Sequence, residues 1–417
     1  MFFVWRQGKG RPAADLFRSF SSTRLRPSDR QASTRHQEND VLSADQEAGV
    51  EEFSDLPKSF GVNQHIDIDS DLHDRLRSVL WKFKAPIRYA FAYGSGVFSQ
   101  KGYDGSTKPM VDYIFGVSYA QHFHSLNLHH HPDHYSFLRR LGSGVVGHVQ
   151  TGYGAGVYFN PYVEVDGVMI KYGVVLLDDL CADLTDWRTL YLAGRMQKPV
   201  KILRDNAQVR MANQRNLYSA VRTALLLLPD RFDERQLYTT IAGLSYMGDP
   251  RMAFGEHPHK VDNIVARQLL HFRHLYTPFI ERLPNVAFTS RASIDDPDRP
   301  GSLVQDLDPI KRGNMVRRLP AAFRAKLYHR YRRILGPTAS LSHDADDADD
   351  ASPYGGAFDR QIAASEVLAA ELGKSVRATV SWPSTSQSIK GVLTAGPVKS
   401  WRYVAEKLKK ARTKSVK

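Results

Sequence analysis

The chain has 417 residues, 42% hydrophobic and 24% charged, which is enough for two or three domains with a substantial core. It contains no apolar run of about eighteen residues, which excludes a membrane-spanning helix. Its single cysteine, Cys181, excludes a disulfide framework and a cysteine-rich zinc site. The net charge of +13 indicates an anionic partner such as nucleic acid, a nucleotide or an acidic lipid surface.

The N-terminal segment, residues 1–36, has the composition of a mitochondrial presequence. It is rich in arginine and serine and poor in acids, and residues 18–22 (RSFSS) look like a matrix-processing site. The alternative is a disordered basic tail. Residues 37–68 are polar and acidic, which predicts a linker, so we expect the folded part to begin near Ser70, a candidate N-cap of an amphipathic helix.

The first predicted strand, residues 89–93, ends at the sequence Gly94-Ser95-Gly96. A second apolar run, residues 110–117, follows a polar loop and is interrupted by one carboxylate, Asp112. Glycines let backbone N–H groups approach a polyphosphate without a Cβ in the way, and a serine adds a hydroxyl donor. The pattern therefore indicates a nucleotide site, although a plain tight turn would also use these glycines.

Asp112 is the candidate metal ligand of this site. A carboxylate in a strand that looks buried is costly unless it is paired or metal-bound, and Mg²⁺ is commonly held by one or two carboxylates plus substrate phosphates. The arrangement resembles the nucleotidyltransferase superfamily of the DNA polymerase β type. The second carboxylate usual in that superfamily is absent, because Met110 and Ile114 occupy the positions two residues away.

Two segments after the second strand have unusual compositions. Residues 121–134 are rich in histidine, but their irregular spacing favours a basic loop near phosphates over a zinc site. Residues 133–141 are predicted to be a helix, and residues 142–156 form a glycine-rich stretch without the Gly-Lys-Ser/Thr of a Walker loop. We expect Tyr153 and Gly154 in this stretch to contact the nucleotide.

Residues 157–165 and 168–177 predict a β-hairpin with Asp166-Gly167 as its turn. Lys171 interrupts the second strand, either at a solvated edge or pointing into a cleft with Asp112, where it would neutralise phosphate charge. We favour the cleft, because the sheet has several charged interruptions. Glu164 and Asp166 are candidates for the missing metal ligand.

The rest of the chain is predicted to be mainly helical. We expect a nucleotidyltransferase domain over 69–205 and an all-α lobe over 206–335, with helices at 187–196, 206–228, 233–244 and 261–283. An acidic linker (336–356) and a C-terminal segment (357–417) follow. This segment contains a predicted hydroxyl-rich loop at 384–396, either with Lys390 as a phosphate contact or packed on the domain. It ends in a predicted basic amphipathic helix at 398–417, which suits an anionic membrane, although a solvated tail or a nucleic-acid arm would look similar.

Short strings spread over residues 70–410 resemble, in order, the mitochondrial CDP-diacylglycerol synthase family, also called the mitochondrial translocator assembly and maintenance family. They are YGSGVF (93–98), MVDYIF (110–115), FHSLNL (123–128), HYSFLRRLG (134–142), YGAGVYFNP (153–161), IKYGVV (170–175), LYLAGRMQKPVKIL (190–203), IAGLSYMGDPRM (241–252) and SIKGVLTAG (388–396).

The resemblance implies an α+β protein that has a polymerase-β-type nucleotidyltransferase domain with a mixed sheet, followed by a winged-helix-like helical domain and a C-terminal segment with an amphipathic helix. It further implies synthesis of CDP-diacylglycerol from CTP and phosphatidic acid with Mg²⁺, on the matrix side of the mitochondrial inner membrane, for cardiolipin synthesis. In that reaction Gly94, Ser95 and Gly96 would cradle the triphosphate and Asp112 would hold Mg²⁺. Lys171 and Lys390 would offset phosphate charge.

Two alternatives stay open on the sequence. A mitochondrial RNA nucleotidyltransferase fits the net charge and the Gly-Ser motif, but no basic stripe interleaved with aromatic residues is present, so we expect no nucleic-acid partner. A non-catalytic inner-membrane assembly factor fits the older family name, but it has no need of charges in apolar strands.

Overall fold

The computed structural model describes residues 59–98, 110–254, 259–291, 299–336 and 356–396. The predicted presequence, the acidic linker from residue 337 to 355 and the basic helix at 398–417 lie outside these residues. The described α-helices are α1 (Ser70–Ser78), α2 (Ala120–His130), α3 (Gly142–Gly152), α4 (Leu177–Asp186), α5 (Ala193–Met196), α6 (Ala207–Leu227), α7 (Glu234–Leu244), α8 (Arg251–Phe254), α9 (Lys260–Ile280), α10 (Pro309–Arg317), α11 (Ala321–Leu335), α12 (Ala357–Ala364) and α13 (Leu368–Ala395). The strands are β1 (Tyr89–Tyr93), β2 (Val111–Val117), β3 (Tyr158–Val165), β4 (Val168–Leu176), β5 (Lys201–Arg204), β6 (Arg231–Asp233), β7 (Val286–Ser290) and β8 (Ser302–Gln305).

A five-stranded sheet in the order β3-β4-β2-β1-β5 forms the centre of the N-terminal half. β2 and β4 run parallel, and the other neighbouring strands are antiparallel, so the sheet is mixed, as predicted. The predicted hairpin is confirmed: Asp166 and Gly167 both have positive φ, at 49° and 74°, as a type I′ turn requires. The structure is therefore α+β, with the two predicted apolar runs as adjacent strands.

The side chains of these strands alternate between two cores, as the pleat of a sheet demands. Tyr89, Phe91 and Ile114 belong to a large core shared with the helices, whereas Tyr113 and Tyr172 belong to a smaller core on the opposite face. The large core also contains residues from both sides of the domain boundary predicted at 205. The described residues all fall within one compact unit.

Several local predictions for the segment between the second strand, β2, and the β3-β4 hairpin were wrong. Most of the histidine-rich segment is helix α2 rather than a loop, since Phe123, His124 and Asn127 are spaced to bury one helical face. Residues 133–141 form two short 3₁₀ helices instead of one α-helix. The glycine-rich stretch, for which the sequence predicted no secondary structure, is largely helix α3, in which Val146 and Val149 are buried and tertiary packing overrides the low helix propensity of glycine.

Residues 187–196 are mostly a turn rather than the predicted helix, and a helix that sequence reasoning missed, α4, precedes them. Trp187 and Leu190 both have left-handed φ values, 53° and 55°, which ends helical geometry. The carboxylate of Asp183 takes the place of the helical hydrogen bonds: it accepts from the backbone N–H groups of Thr189, Leu190, Leu192 and Ala193 at 2.8–3.1 Å. This buried carboxylate fixes the path of the turn.

The second lobe contains the predicted helices and also strands. Asn206 and Asp233 cap α6 and α7 as side-chain acceptors, and Gln236 completes a capping box with Asp233. The lobe is not all-α, because β6, β8 and β7 form a three-stranded antiparallel sheet. Strands of three to five residues are too short to show a reliable alternation in the sequence.

Residues from the predicted linker at 37–68 join the fold earlier than expected. Asn63 Nδ2 donates to the carbonyl oxygen of Leu275 at 2.8 Å, across 212 residues of sequence. Gln64 Nε2 donates to the carbonyl oxygen of Arg210 at 2.8 Å, and Asn213 Nδ2 donates to Gln64 Oε1 at 2.8 Å. The start of the folded chain is therefore bound to helices α6 and α9.

Candidate active site

The candidate site lies where the face of the sheet that packs on the helices changes from apolar to polar. Tyr93 pairs with Asp112, and Asp112 pairs with Lys171, so three neighbouring strands present these residues in one row. The next paired positions on the same face toward the middle of the sheet, Phe91 and Ile114, are fully buried. The row therefore sits at the end of the sheet, where β1 runs into the Gly94-Ser95-Gly96 turn.

Lys171 and Asp112 form an ion pair, as the cleft interpretation of Lys171 predicts. The Nζ of Lys171 is 3.3 Å from Asp112 Oδ1, and both side chains are mostly but not fully buried. Lys171 Nζ also lies 4.6 Å from the centroid of the Phe159 ring. A carboxylate and an ammonium held side by side at the mouth of a sheet can bind a metal ion and a phosphate group at adjacent points.

The turn after β1 approaches this pair closely through its glycines. Gly94 has φ +82°, and a Cβ on it would lie 3.3 Å from Asp112 Oδ2. A Cβ on Gly96 would meet the Cα of Val111 at 2.9 Å, which only a backbone shift could relieve. The two glycines are therefore needed both for the turn and for its contact with β2, and Ser95 lies between them.

Arg195, on α5, is a cation of this site that sequence reasoning missed. Its Nε donates to Tyr93 Oη at 3.2 Å, and its Nη1 donates to the carbonyl oxygen of Tyr191 at 2.6 Å. The guanidinium stacks 3.9 Å from the Tyr191 ring and lies 6.0 Å from the Phe159 ring, whose other neighbour is Lys171. Arg195 interrupts an apolar stretch as Asp112 does, and the same criterion applied at 190–196 would have found it.

Buried groups of the second lobe position Arg195. Asn216 on α6 donates to the carbonyl oxygen of Ala193 at 3.0 Å and accepts from Trp187 Nε1 at 2.9 Å. Together with the carboxylate of Asp183, these contacts fix both ends of the turn that leads to α5. The guanidinium is thus held by a rigid scaffold, which favours catalysis by preorganised charge.

Further cations surround Arg195. Lys198 follows it by three residues, and its Nζ donates to Ser245 Oγ at 2.9 Å. Burial, Arg195 and Lys260 lower the pKa of Lys198 to about 7. Asp249 and Arg251, which form a bidentate ion pair, lie close enough to interact electrostatically with Arg195 and Tyr191 respectively. An anion bound beside Arg195 would relieve this concentration of positive charge.

The other predicted site residues lie elsewhere. Glu164 is exposed on the edge strand β3 and pairs with Met169 of β4. β4 lies between β3 and β2, and Met169 is two residues before Lys171, the partner of Asp112. The Cα atoms of Glu164 and Asp112 are therefore about 12 Å apart. Asp166 pairs with Lys82 at 2.9 Å. The structure therefore does not bring either carboxylate beside Asp112.

Tyr153, Gly154 and Lys390 meet one another, but at the other end of the sheet. The turn that contains Tyr153 and Gly154 leads to Gly156, which lies beside Asp179. Asp179 follows the end of β4, and that end is about 16 Å along the strand from Lys171. The predicted loop at 384–396 is wrong, since these residues belong to α13. Lys390 is buried there, and its Nζ donates to the carbonyl oxygens of Gln150 and Tyr153 at 3.0 and 2.5 Å.

Lys390 therefore binds the free carbonyl groups at the C-terminus of α3, a favourable position for a cation. Burial lowers its pKa to about 7. Gly154 has φ +66°, and a Cβ on it would lie 2.7 Å from Gln387 Oε1, so this glycine allows close packing against α13. The observed contacts of these residues are structural ones.

His124 of the histidine-rich helix α2 belongs to a buried polar network. His124 Nε2 lies 2.8 Å from Gln150 Oε1, an amide oxygen to which it can only donate, and Nδ1 lies 2.9 Å from Tyr135 Oη, from which a neutral ring accepts. Among the described residues, no three His, Cys, Asp or Glu side chains group closely enough to hold a metal ion.

We expect His124 to make the protein sensitive to mild acid. Burial lowers its pKa from 6.5 to about 4, so between these values the unfolded chain takes up a proton that the folded chain resists. Stability should therefore fall as the pH drops below 6.5. Urea unfolding at pH 7 and pH 5 should show wild type losing roughly 2 kcal/mol more than His124→Gln.

His122→Gln, an exposed position on the same helix, is the matched control and should behave as wild type. If His124→Gln loses as much stability as wild type between the two pH values, His124 is not the neutral buried group described above.

The protein is α+β, and its glycine turn, strand carboxylate and surrounding cations form a candidate site whose chemistry suits phosphate groups. The chain belongs to the family described as "Phosphatidate cytidylyltransferase, mitochondrial", whose profile matches residues 76–410. Within the described ranges, no helix combines the length and apolar character needed to cross a bilayer.

Curated relatives cover most of the chain. A protein named "Phosphatidate cytidylyltransferase, mitochondrial" from Schizosaccharomyces pombe is 39% identical over 355 residues, 84% of this chain and 86% of that protein. The protein of the same name from Mus musculus is 38% identical over 344 residues, 80% of this chain and 94% of that protein. The Saccharomyces cerevisiae protein of that name is 46% identical over 237 residues, 55% of this chain and 61% of that protein.

Proposed function

We propose that this protein transfers the cytidylyl group of CTP to phosphatidic acid, producing CDP-diacylglycerol and pyrophosphate. Membership of the family over residues 76–410 supports the substrates. The observation that carries the chemistry is the Asp112–Lys171 pair, at 3.3 Å, directly beside the Gly94-Ser95-Gly96 turn. Arg195 adds a fixed positive charge at the same place.

The reaction places modest demands on acid–base catalysis. A phosphate oxygen of phosphatidic acid forms a bond to the α-phosphorus of CTP, and the bond from that phosphorus to the bridging oxygen of pyrophosphate breaks. The nucleophile is already an anion near neutral pH, so no base has to remove a proton from it. The work of the protein is to position two anions and to stabilise the charge of the transition state.

The residues of the site divide this work. Backbone N–H groups of the turn and the hydroxyl of Ser95 would hold the triphosphate, and Lys171 and Arg195 would balance its charge. Asp112, with substrate phosphate oxygens, supplies a donor set that Mg²⁺ accepts, since this ion commonly binds one or two carboxylates and completes its shell with phosphate and water. When bound, Mg²⁺ would supply positive charge at the phosphates that react.

The finer description of fold and setting is also part of this proposal. We assign residues 69–205 to a polymerase-β-type nucleotidyltransferase domain and the following lobe to a winged-helix-like domain, which the small β6-β8-β7 sheet supports. The word "mitochondrial" in the names of the relatives, the presequence-like residues 1–36 and the lipid substrate favour the matrix side of the inner membrane. There the product would feed cardiolipin synthesis.

The test is pyrophosphate release from CTP and Mg²⁺ by the full chain, with and without phosphatidic acid in anionic vesicles. We expect release that depends on phosphatidic acid and a lipid product that carries the cytidylyl group. Extension of an RNA primer without lipid product would indicate the RNA nucleotidyltransferase instead. No reaction with either acceptor would favour the assembly factor.

A further inference from the structure

The second half of α13 has its polarity inverted. The residues that it buries against the protein are polar: Ser384, Gln387, Lys390 and Thr394. The large apolar residues on its other side face solvent: Trp382 is 73% exposed, Ile389 66% and Leu393 43%. A helix on the surface of a water-soluble protein normally shows the opposite arrangement.

Specific hydrogen bonds fix this orientation. Gln387 Oε1 accepts from the backbone N–H of Ala155 at 3.1 Å, and its Nε2 donates to the carbonyl oxygen of Val157 at 3.0 Å. One turn further along, Lys390 binds the carbonyl oxygens at the end of α3. A rotation that buried Ile389 would break all of these bonds, so the apolar face is held outward.

The neighbouring surface adds another apolar side chain and positive charge. Ser136 Oγ donates to the carbonyl oxygen of Leu393 at 3.2 Å, so the 3₁₀ helix that begins at Phe137 starts beside the end of α13, and the side chain of Phe137 is exposed. Arg139 and Arg140, on the same 3₁₀ helix, are exposed. After Gly396 the sequence continues with eight basic residues and one acidic residue over 397–417.

We propose that this surface, formed by Trp382, Ile389, Leu393 and Phe137, docks on an anionic lipid bilayer. Exposed apolar side chains with a tryptophan and flanking arginines match the apolar and anionic layers of a membrane interface. The inference rests on the proposed function in one respect, because a substrate with two acyl chains has to be taken from a bilayer. The proposed surface is a second membrane contact, formed by the folded protein, in addition to the contact predicted for the basic segment at 398–417.

The test is sedimentation of the full chain with vesicles of phosphatidylcholine and phosphatidylglycerol, without CTP or phosphatidic acid. We expect wild type to bind, and the double variant Ile389→Ser, Leu393→Ser to bind at least about tenfold more weakly. The control double variant Leu270→Ser, Ile310→Ser changes two apolar residues of similar exposure elsewhere and should bind as wild type. Thermal unfolding checks that each variant is folded.

Tryptophan fluorescence gives an independent readout of the same contact. Trp81 and Trp382 are equally exposed, at 75% and 73%, but only Trp382 lies on the proposed surface. In a chain that carries Trp5→Phe and Trp401→Phe, so that the two basic terminal segments contribute no tryptophan signal, Trp382→Phe should remove most of the blue shift that vesicles cause, whereas Trp81→Phe should leave it unchanged. Neither experiment involves turnover. The docking proposal can therefore fail while the proposed cytidylyl transfer is confirmed, and cytidylyl transfer can fail while docking is confirmed.

Three outcomes would overturn the proposal. Wild type that does not bind anionic vesicles is one, and an α13 double variant that binds as well as wild type is another. The third is a wild-type dimer in solution that the α13 double variant converts to a monomer, since the surface would then be covered by a second copy of the chain.

Discussion

Replacement of Asp112 by Asn should lower phosphatidate-dependent pyrophosphate release by at least about a thousandfold. The amide has nearly the same shape as the carboxylate but carries no charge, so it is a poor ligand for Mg²⁺. The ion pair with Lys171 is partly exposed and contributes no more than about 1 kcal/mol to stability, so the variant should stay folded. Initial rates at saturating CTP, beside a thermal melt, measure both effects.

Glu164→Gln is the informative companion of this variant. Glu164 is the second metal ligand predicted from the sequence, yet the structure places it on the exposed edge of β3. We therefore expect its rate to stay within about twofold of wild type, as for a surface substitution remote from the chemistry. If Asp112→Asn keeps its activity, Asp112 is not a metal ligand. If Glu164→Gln loses most of its activity, Glu164 is a metal ligand after all.

The second large effect is expected at Arg195. Arg195→Met keeps the length and apolar contacts of the side chain but removes its charge and its bond to Tyr93. We expect kcat/KM for CTP to fall by about a hundredfold to a thousandfold, since a preorganised charged donor contributes that much to many transition states. The separate values of kcat and KM will show whether the loss lies in the transition state or in binding of CTP.

Arg188→Met serves as the control for this prediction. Arg188 is exposed and pairs with Asp186 close to the same turn, so it matches the charge change without contacting Tyr93 or Tyr191. Its activity should be near that of wild type. Equal losses in the two arginine variants would point to general electrostatic attraction of CTP, and wild-type activity in Arg195→Met would exclude the arginine from the site.

The part of the site that could be predicted from the sequence is the part formed by neighbouring strands. Asp112 and Lys171 each interrupt an apolar run, and charges in such positions need partners, so the sequence indicated that they would meet. The glycines of the turn were recognised because a close backbone approach excludes a Cβ. These inferences depend on local patterns and on the pairing of adjacent strands, and the structure agrees with both.

The errors arose where distant residues decide the local structure. The turn at 187–192 has apolar residues at helical spacing, but the buried carboxylate of Asp183 takes up its N–H groups. The glycine-rich helix α3 has its C-terminal carbonyl groups bound by Lys390, about 240 residues away. A hydroxyl-rich segment with one lysine looked like a phosphate loop, because its burial against α3 cannot be read from its own residues.

The contacts of Asn63 and Gln387 bear on how the chain reaches its folded state. The N-terminal end of the fold is bound to Leu275, 212 residues later, and β3 is covered by Gln387, 230 residues after Val157. Loops of that length close slowly compared with local structure, and the sheet acquires its edge strand β5 only when residues 201–204 have joined it. A chain that becomes available from its N-terminus therefore cannot make these two contacts until Leu275 and Gln387 have followed, although the strands that carry the candidate site come much earlier in the sequence.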